Sequence, residues 1–242
     1  MISVCIATYN GEKYIREQLM SILPQLSAED EVIISDDAST DNTLQVISDL
    51  HDSRIQIYHH TSYEPCYFPL DKSTHNFENA LIHAKGEYIF LSDQDDIWLS
   101  DKVTTMLQEL AVYDLVVHNC QVVDAQLNTI CPSYFDLVHI HKGIWANIYK
   151  NSCLGCCIAF RRHLLDTALP FPSHYVAHDQ WLVICASLKG TMSLVHQPFL
   201  LYRKHNTSQT PSGEKSAHSW SFKIKYRLVV VYYTLLKILH IN

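Results

Sequence analysis

Three aspartates occur within four residues in the first half of the chain. Asp93, Asp95 and Asp96 follow the apolar run at residues 88–92. Carboxylates this close repel one another unless a positive charge lies among them, and carboxylate oxygens are the ligands that Mg²⁺ and Mn²⁺ prefer. Mg²⁺ in proteins is commonly held by one or two carboxylates together with substrate phosphates. The cluster therefore predicts a divalent cation that binds a phosphorylated substrate, and the alternative is that these aspartates cap a helix starting near Ser100.

A second acidic segment, residues 35–41, follows another apolar run and contains Asp36 and Asp37. Tyr9 and Asn10 end the first apolar run and would lie at the same edge of a parallel sheet, where open sheets of this kind bind ligands. Their side chains could stack on or hydrogen-bond to a base or a ribose. The same residue types are typical of ordinary turns and helix starts, so the pattern leaves both interpretations open.

A single carboxylate, Asp179, lies within the sequence His178-Asp179-Gln180-Trp181, just before an apolar helical run. This segment comes after the acidic half of the chain, so its carboxylate could reach a substrate from the opposite side. Capping of the helix is the competing interpretation.

Other common chemistries lack their sequence signatures. The six glycines form neither of the usual backbone cradles for phosphate, which disfavours a dinucleotide-binding or P-loop enzyme. Cys153, Cys156 and Cys157 resemble half of a zinc site, but no second pair follows at a suitable spacing. No G-x-S-x-G segment supports a serine hydrolase.

The composition predicts a folded protein with a large core, because 48% of the 242 residues are hydrophobic. Acidic residues outnumber Lys and Arg by 25 to 18, which argues against a nucleic-acid-binding protein. Eight cysteines are too few for a disulfide scaffold, and the first residues run directly into a predicted strand without a basic leader. We therefore expect a reducing, cytoplasmic location.

Apolar runs and helical spacing alternate along the first half of the chain. The predicted strands are residues 2–7, 31–35, 54–58 and 88–92, and the predicted helices are 14–23, 44–50 and 77–84. This alternation is typical of βαβ units and predicts an α/β protein with a parallel sheet. Beyond residue 100 the alternation weakens, with strands expected at 115–123, 154–160 and 192–195 and helices at 102–113 and around 180–188.

Several of these segments together resemble glycosyltransferase family 2, whose members are inverting enzymes with a GT-A fold. The segments that carry the resemblance are residues 3–11 and 35–41, Asn76-Phe77, Ala84-x-Gly86 and residues 92–98. Residues 90–98 with Asp101-Lys102, Gly155-Cys156, residues 178–181 and residues 202–205 are similar to bacterial rhamnosyltransferases of surface-polysaccharide assembly. The resemblance implies a Rossmann-like GT-A domain over residues 1–208, with a mostly parallel central sheet flanked by helices, followed by a tail over residues 209–242.

The resemblance also implies roles for individual residues. Thr8, Tyr9 and Glu12 would line the nucleotide site. Asp37 would contact the base, with Asp36 beside it. Asp93 and Asp95 would form the D-x-D pair that binds the diphosphate and Mn²⁺ or Mg²⁺, with Asp95 as the more direct metal ligand. His205 is a candidate further metal ligand, and Asp179 matches the catalytic base.

The implied reaction is transfer of a sugar from a nucleotide-sugar donor to a saccharide or lipid-linked saccharide acceptor. The resemblance favours dTDP-L-rhamnose as the donor, and a UDP-hexose is the alternative. Two other functions stay open from the residues alone. One is a non-catalytic subunit that binds nucleotide sugars. The other is a dehalogenase-like phosphatase, although its D-x-D motif normally follows the first strand rather than the fourth.

The C-terminal segment differs in charge from the rest of the chain. Seven of the 18 cations lie from Arg203 onward, with Glu214 as the single acid there, and the apolar run 228–236 follows Arg227. That run has about half the length of a membrane-spanning helix. We therefore expect a tail helix that contacts an anionic membrane peripherally at the inner face of the cell membrane, and the alternative is packing on the body or on a second subunit in an oligomer.

Overall fold

The computed structural model describes residues 1–61, 68, 70–204 and 219–239. Nine strands in this part of the chain form one sheet with the order β3-β2-β1-β4-β8-β6-β9-β5, and β7 pairs with β6 outside that path. Helices cover the sheet. The predicted boundary between residues 208 and 209 lies outside the described residues.

The first half of the chain forms the parallel part of the sheet, as the alternating pattern predicts. Its strands are β1 (Ile2–Thr8), β2 (Glu31–Asp36), β3 (Ile55–His59) and β4 (Tyr88–Ser92). All three pairings among them are parallel, and Thr8 lies opposite Asp36 while Ile6 lies opposite Ser92. This register brings the carboxyl ends of β1, β2 and β4 to one edge, directly beside the acidic segments.

The helices of this half are α1 (Ile15–Ile22), α2 (Thr43–Ser48) and α3 (Asp71–His83). Helix α3 begins six residues before the predicted start at residue 77. Its first two turns are polar and therefore show no apolar periodicity. Asp71 is nevertheless buried, where its carboxylate accepts hydrogen bonds from the backbone N–H groups of Phe68 at 2.9 Å and Tyr175 at 3.0 Å.

The second half makes the sheet mixed. Its elements are β5 (Ile97–Trp98), α4 (Lys102–Leu110), β6 (Leu115–Val123), β7 (Thr129–Cys131), α5 (Tyr134–Val138), α6 (Ile144–Tyr149), β8 (Ile158–Arg161), α7 (Leu165–Ala168), α8 (His178–Lys189), β9 (Met192–Arg203) and α9 (Trp220–Ile238). Strand β8 runs antiparallel to β4 and β6, and β5 runs antiparallel to β9. Strand β9 extends well beyond the predicted 192–195 and pairs with β6 in parallel through two irregularities. The predicted mostly parallel sheet therefore applies to the first half of the chain.

The core lies on both faces of the central strands. Val4, Cys5 and Ile6 are fully buried, and residues 180–186 of α8, around Trp181, are buried as well. Burying an Ile or Val side chain of this kind stabilises the fold by about 1.5–3 kcal/mol. The seven cysteines in the described part of the chain are free thiols. No described helix combines the length and the apolar character needed to cross a membrane.

Helix α9 packs its inner face on this body. Val230 and Thr234 are buried against it, and the ring of Tyr233 lies 6.5 Å from that of Trp181, centroid to centroid. The tail therefore contains a helix, and one face of that helix is part of the folded domain.

Candidate active site

The ends of β1 and β4 are held together by Gln94. Its Oε1 accepts a hydrogen bond from the backbone N–H of Tyr9 at 2.9 Å, and its Nε2 donates to the backbone oxygen of Tyr9 at 3.1 Å. A Cβ atom at Gly11 would lie 2.5 Å from Gln94 Oε1, so a larger residue at this position would displace the Gln94 side chain. The loop that carries the acidic cluster is thereby fixed against the loop that follows β1.

Asp36 and Asp37 follow β2 at the same edge but are in different environments. Asp36 is buried, and its carboxylate accepts hydrogen bonds from Thr8 Oγ1 at 3.0 Å and from the backbone N–H of Ser39 at 2.9 Å. Asp37 is half-buried, and its Oδ1 lies 3.0 Å from Nδ1 of His60. Asp36 therefore shapes the turn, and the carboxylate of Asp37 lies closer to solvent.

Tyr9 and Glu12 lie at the rim of this edge. Tyr9 is exposed, so one side of its ring is open to a ligand. The carboxylate of Glu12 accepts hydrogen bonds from the backbone N–H and the side-chain Nδ2 of Asn42, at 2.8 and 2.9 Å. Asn76 of α3 supports the end of β1, because its Nδ2 donates a hydrogen bond to the backbone oxygen of Thr8 at 3.1 Å.

The acidic cluster after β4 forms the floor of the site. Ligand atoms of Asp93, Asp96 and Cys156 all lie within 4.8 Å of one another. Asp96 is fully buried, its Oδ1 accepts from the backbone N–H of Arg203 at 3.0 Å, and its Oδ2 has no nitrogen or oxygen partner among the described residues. Asp95 is half-exposed and lies outside this group of three. None of the three aspartates caps α4, because its N-cap is Asp101.

The cluster is held in place by Arg203, which sits at the end of β9 and is itself buried. Its Nε donates to the backbone oxygen of Asp95 at 2.9 Å, and its terminal nitrogen donates to Glu17 Oε2 at 2.5 Å. The third predicted metal ligand, His205, lies outside the described residues.

Repulsion and burial raise the pKa values of these carboxyls. Burial, and then the charge of Asp95, raise the pKa of Asp93 to about 7, and burial holds the pKa of Asp96 well above its usual value. The positive charge of the buried Lys102 opposes these effects, because it lowers the pKa of Asp93. Its ammonium donates to the backbone oxygen of Cys156 at 3.0 Å and lies 3.9 Å from the ring centroid of Trp98.

The donor set fits a hard divalent cation. Asp93, Asp95 and Asp96 supply carboxylate oxygens, the Oδ2 of Asp96 is without a nitrogen or oxygen partner, and a cation would lower the raised pKa values. Burial holds the pKa of the Cys156 thiol well above its usual value, and a hard cation prefers carboxylate oxygens to sulfur.

Asp179 lies in the first turn of α8, close enough to the cluster for its charge to act on Asp93. Burial raises its pKa to about 6, although the backbone N–H of Gln180, 2.6 Å from Oδ1, and the side chain of Asn151 favour the charged form. The charge of Asp179 also raises the pKa of Asp93. The two carboxylates therefore share one electrostatic environment, and the N-cap of α8 is Ala177 rather than Asp179.

His178 packs behind Asp179. The imidazole is buried, stacks on Phe77 with 4.2 Å between ring centroids, and has neither ring nitrogen hydrogen-bonded among the described residues. Burial lowers its pKa to about 3, so the ring is neutral. A Cβ atom at Gly155 would lie 2.5 Å from its Nε2, which explains the glycine at this position.

Comparison with known proteins agrees with this architecture. The model for Glycosyl transferase family 2 matches residues 3–169. Over 236 residues the chain is 27% identical to a dTDP-rhamnosyl transferase, RfbG, of Shigella flexneri, which covers 92% of this chain and 77% of the relative. It is 26% identical over 219 residues to the UDP-Glc:alpha-D-GlcNAc-diphosphoundecaprenol beta-1,3-glucosyltransferase WfgD of Escherichia coli, covering 89% and 81%.

Among solved structures, TarS residues 1–349 of S. aureus in complex with UDP-GlcNAc superposes with a TM-score of 0.68 at 24% identity. The alignment covers 97% of this chain and 66% of TarS 1–349, so this chain spans about two thirds of the length of that solved chain. The GT-A fold that the sequence predicts is thereby confirmed.

Proposed function

Because the chain belongs to glycosyl transferase family 2, we propose that it transfers a sugar from a nucleotide-sugar donor to a hydroxyl of an acceptor. The observation that carries this proposal is the proximity of Asp93 and Asp179, because the charge of Asp179 acts on Asp93 although the two residues are far apart in the chain, and each carboxyl has a pKa raised toward neutrality. Asp93 belongs to the acidic cluster that would bind the diphosphate, and Asp179 is separate from that cluster.

The nucleotide would bind at the edge formed by the ends of β1 and β2. The exposed ring of Tyr9 offers a stacking surface, and Asp37 offers a carboxylate acceptor near the surface. Thr8, Asp36 and Glu12 support this edge through hydrogen bonds within the chain. We assign them to the nucleotide site as the residues that set its shape.

Asp93, Asp95 and Asp96 would hold Mn²⁺ or Mg²⁺, with His205 as a further candidate ligand. When bound, the cation would neutralise the charge that develops on the departing nucleoside diphosphate. Arg203 fixes the loop, because its side chain donates to the backbone oxygen of Asp95 and its own backbone N–H donates to the carboxylate of Asp96. The carboxylates therefore do not have to be ordered when the donor binds.

Asp179 would accept the proton of the acceptor hydroxyl as that oxygen attacks the anomeric carbon. With a pKa of about 6 it is mostly ionised at pH 7 and is still basic enough to take a proton in the transition state. A single displacement from the face opposite the leaving diphosphate inverts the anomeric centre.

For the donor we propose dTDP-L-rhamnose, with a UDP-hexose as the alternative. RfbG is named for rhamnosyl transfer from dTDP and WfgD for a UDP-Glc donor, at nearly equal identity to this chain. The acceptor would be a saccharide or lipid-linked saccharide, in line with the diphosphoundecaprenol acceptor in the name of WfgD. We place the protein in the cytoplasm at the inner face of the cell membrane.

Thermal unfolding with Mn²⁺ present tests the donor assignment. A ligand that binds only the native state raises stability by mass action. We expect dTDP-L-rhamnose to raise the unfolding temperature more than UDP-glucose, UDP-galactose or UDP-N-acetylglucosamine, and to be the one consumed in turnover. A clear preference for a UDP-sugar would show that the donor is a UDP-sugar and not dTDP-L-rhamnose. If no nucleotide sugar raised the unfolding temperature or was turned over, the proposed sugar transfer itself would be contradicted.

A further inference from the structure

Two helices present their apolar side chains to solvent. On α6, Trp145 is 75% exposed and Tyr149 is 69% exposed, and on α9, Trp220 is 78% exposed and Leu228 is 64% exposed. The exposed positions of α9 from residue 224 onward are apolar except for Lys225. They are Ile224, Leu228, Tyr232, Leu235 and Ile238, with Leu239 just beyond the helix. We call the exposed faces of α6 and α9 together the α6–α9 surface.

The two helices are joined at Tyr149. Nε of Arg227 donates to the backbone oxygen of Tyr149 at 3.0 Å, and its guanidinium lies 4.4 Å from the centroid of the Tyr149 ring. The aromatic residues of α6 therefore adjoin α9, although the two helices are far apart in the sequence. Neither the spacing nor the composition of residues 144–149 indicates this association.

The charge of this surface has one sign. Residues 139–152 and 219–239 contain no Asp or Glu, in a chain whose formal net charge is −7. The cations in these two segments are Lys142, Lys150, Lys223, Lys225, Arg227 and Lys237. Exposed Trp and Tyr rings beside Lys and Arg are the residue types that lie at the boundary between lipid headgroups and acyl chains.

We propose that the α6–α9 surface binds the headgroup region of an anionic lipid bilayer. A second copy of this chain is a poorer partner, because a twofold interface would bring this acid-free surface against itself and place like charges together. The same surface is complementary in charge to anionic lipid, and each Lys or Arg near such a membrane contributes about 1 kcal/mol.

The position of the surface gives it a role in the reaction, and this consequence rests on the proposed function. Gln180, next to Asp179, donates from Nε2 to the backbone oxygen of Asn147 in α6 at 2.6 Å and accepts a hydrogen bond from the hydroxyl of Tyr226 in α9. Both helices are thus attached to the first turn of α8. Binding of the α6–α9 surface to lipid would place Asp179 next to an acceptor held in the membrane.

Tryptophan fluorescence tests the proposal directly. The chain has four tryptophans, and Trp98 and Trp181 are 3% and 1% exposed, so a change in emission on adding vesicles reports on Trp145 and Trp220. We expect a blue shift with vesicles of phosphatidylglycerol and phosphatidylcholine, quenching by brominated lipid, and loss of both at high salt. Vesicles of phosphatidylcholine alone should give little change.

Charge variants distinguish binding through the α6–α9 surface from a general electrostatic attraction of the protein to anionic lipid. Lys142→Gln with Lys150→Gln should weaken binding to the mixed vesicles by about 30-fold, at about 1 kcal/mol for each lost cation. Lys13→Gln with Lys85→Gln, which changes two exposed lysines elsewhere, should leave binding unchanged. Transfer to a soluble acceptor, measured separately, should be the same for both pairs.

Three results would overturn the proposal. They are an unshifted emission spectrum with anionic vesicles, equal loss of binding in both pairs of lysine variants, and a dimer that Leu228→Glu converts to a monomer while the parent protein ignores vesicles. Failure of the sugar-transfer proposal has a different signature, because vesicle binding would persist in a protein that turns over no nucleotide sugar.

Discussion

The side-chain amide of Gln94 forms two hydrogen bonds with the main chain of Tyr9, one to its N–H at 2.9 Å and one to its carbonyl oxygen at 3.1 Å. These bonds join the loop after β4, which carries the acidic cluster, to the loop after β1, which carries the exposed tyrosine ring. The nucleotide and diphosphate sides of the proposed donor site are therefore positioned by one residue.

Gln94→Ala should weaken donor binding more than it weakens the fold. The variant removes two hydrogen bonds to the main chain of Tyr9, each of which contributes about 0.5–1.5 kcal/mol, and frees the two loops from each other. We expect a matching rise in the Kd for the nucleotide diphosphate, measured by calorimetry. Gln45→Ala, at an exposed glutamine of α2, is the matched control and should change neither quantity. Equal donor affinity in the parent and Gln94→Ala would show that the bridge has no part in binding.

Asp95→Asn should remove Mn²⁺-dependent donor binding while the chain still folds. The amide lacks the charge that balances the cation and the diphosphate, and the half-exposed position tolerates the change. Asp93→Asn should be milder. Asp101→Asn, a neighbouring exposed aspartate at the N-cap of α4, is the control. Calorimetric titration of Mn²⁺ with nucleoside diphosphate measures the effect, and parental affinity in Asp95→Asn would remove this residue from the metal site.

Arg203→Lys should loosen the acidic loop. The guanidinium donates to the backbone oxygens of Asp95 and Ala125 and to the carboxylate of Glu17, and one ammonium cannot reach all three directions. We expect the free energy of unfolding to fall by about 2–4 kcal/mol in urea titrations. Arg16→Lys, at an exposed arginine of α1, should cost little. A loss in Arg203→Lys no larger than in this control would mean that the contacts of Arg203 contribute nothing to the fold.

Asp179 should make the protein less stable above pH 6 than it would be with a neutral side chain. Its pKa is about 6 in the folded chain, against 3.8 for an ordinary aspartate, so the unfolded state loses its proton first as the pH rises. The contribution of Asp179 to stability is therefore highest below pH 4, falls between pH 4 and 6, and stays lower above, by about 2–3 kcal/mol. Asp179→Asn should match the parent below pH 4 and exceed it at pH 7. The measurement is the free energy of unfolding in urea for the parent and for Asp179→Asn across this pH range. A difference between the two proteins that does not change with pH would contradict a raised pKa of Asp179.

The sequence predicts the part of the fold that depends on apolar periodicity. Strands β1, β2 and β4 are buried on both faces and read as continuous apolar runs, so the sheet edge and the placement of Asp36 and Asp93 follow from them. Helix α3 starts earlier than predicted because contacts of Asp71 with distant backbone groups stabilise its polar first turn.

The site is less predictable where it depends on pairs of residues far apart in the chain. No local pattern indicates that Arg203 holds the backbone of Asp95, or that Gln94 holds Tyr9. Asp96 belongs to the acidic cluster of the sequence, but its burial beside Asp93 follows only from the packing of β9. Such contacts are set by tertiary structure, on which short sequence windows carry no information.

The central claim is that Asp179 is the base of a sugar transfer, and the transfer rate of Asp179→Asn tests it most directly. General base catalysis contributes about 10² to 10⁴-fold, so we expect a loss of that size in kcat for the preferred nucleotide sugar, with the Kd for that donor nearly unchanged. Asp166→Asn, an exposed aspartate in the first turn of α7, is the control and should keep the parental rate. An Asp179→Asn protein that retains most of the transfer rate, at donor affinity equal to the parent, would contradict the account.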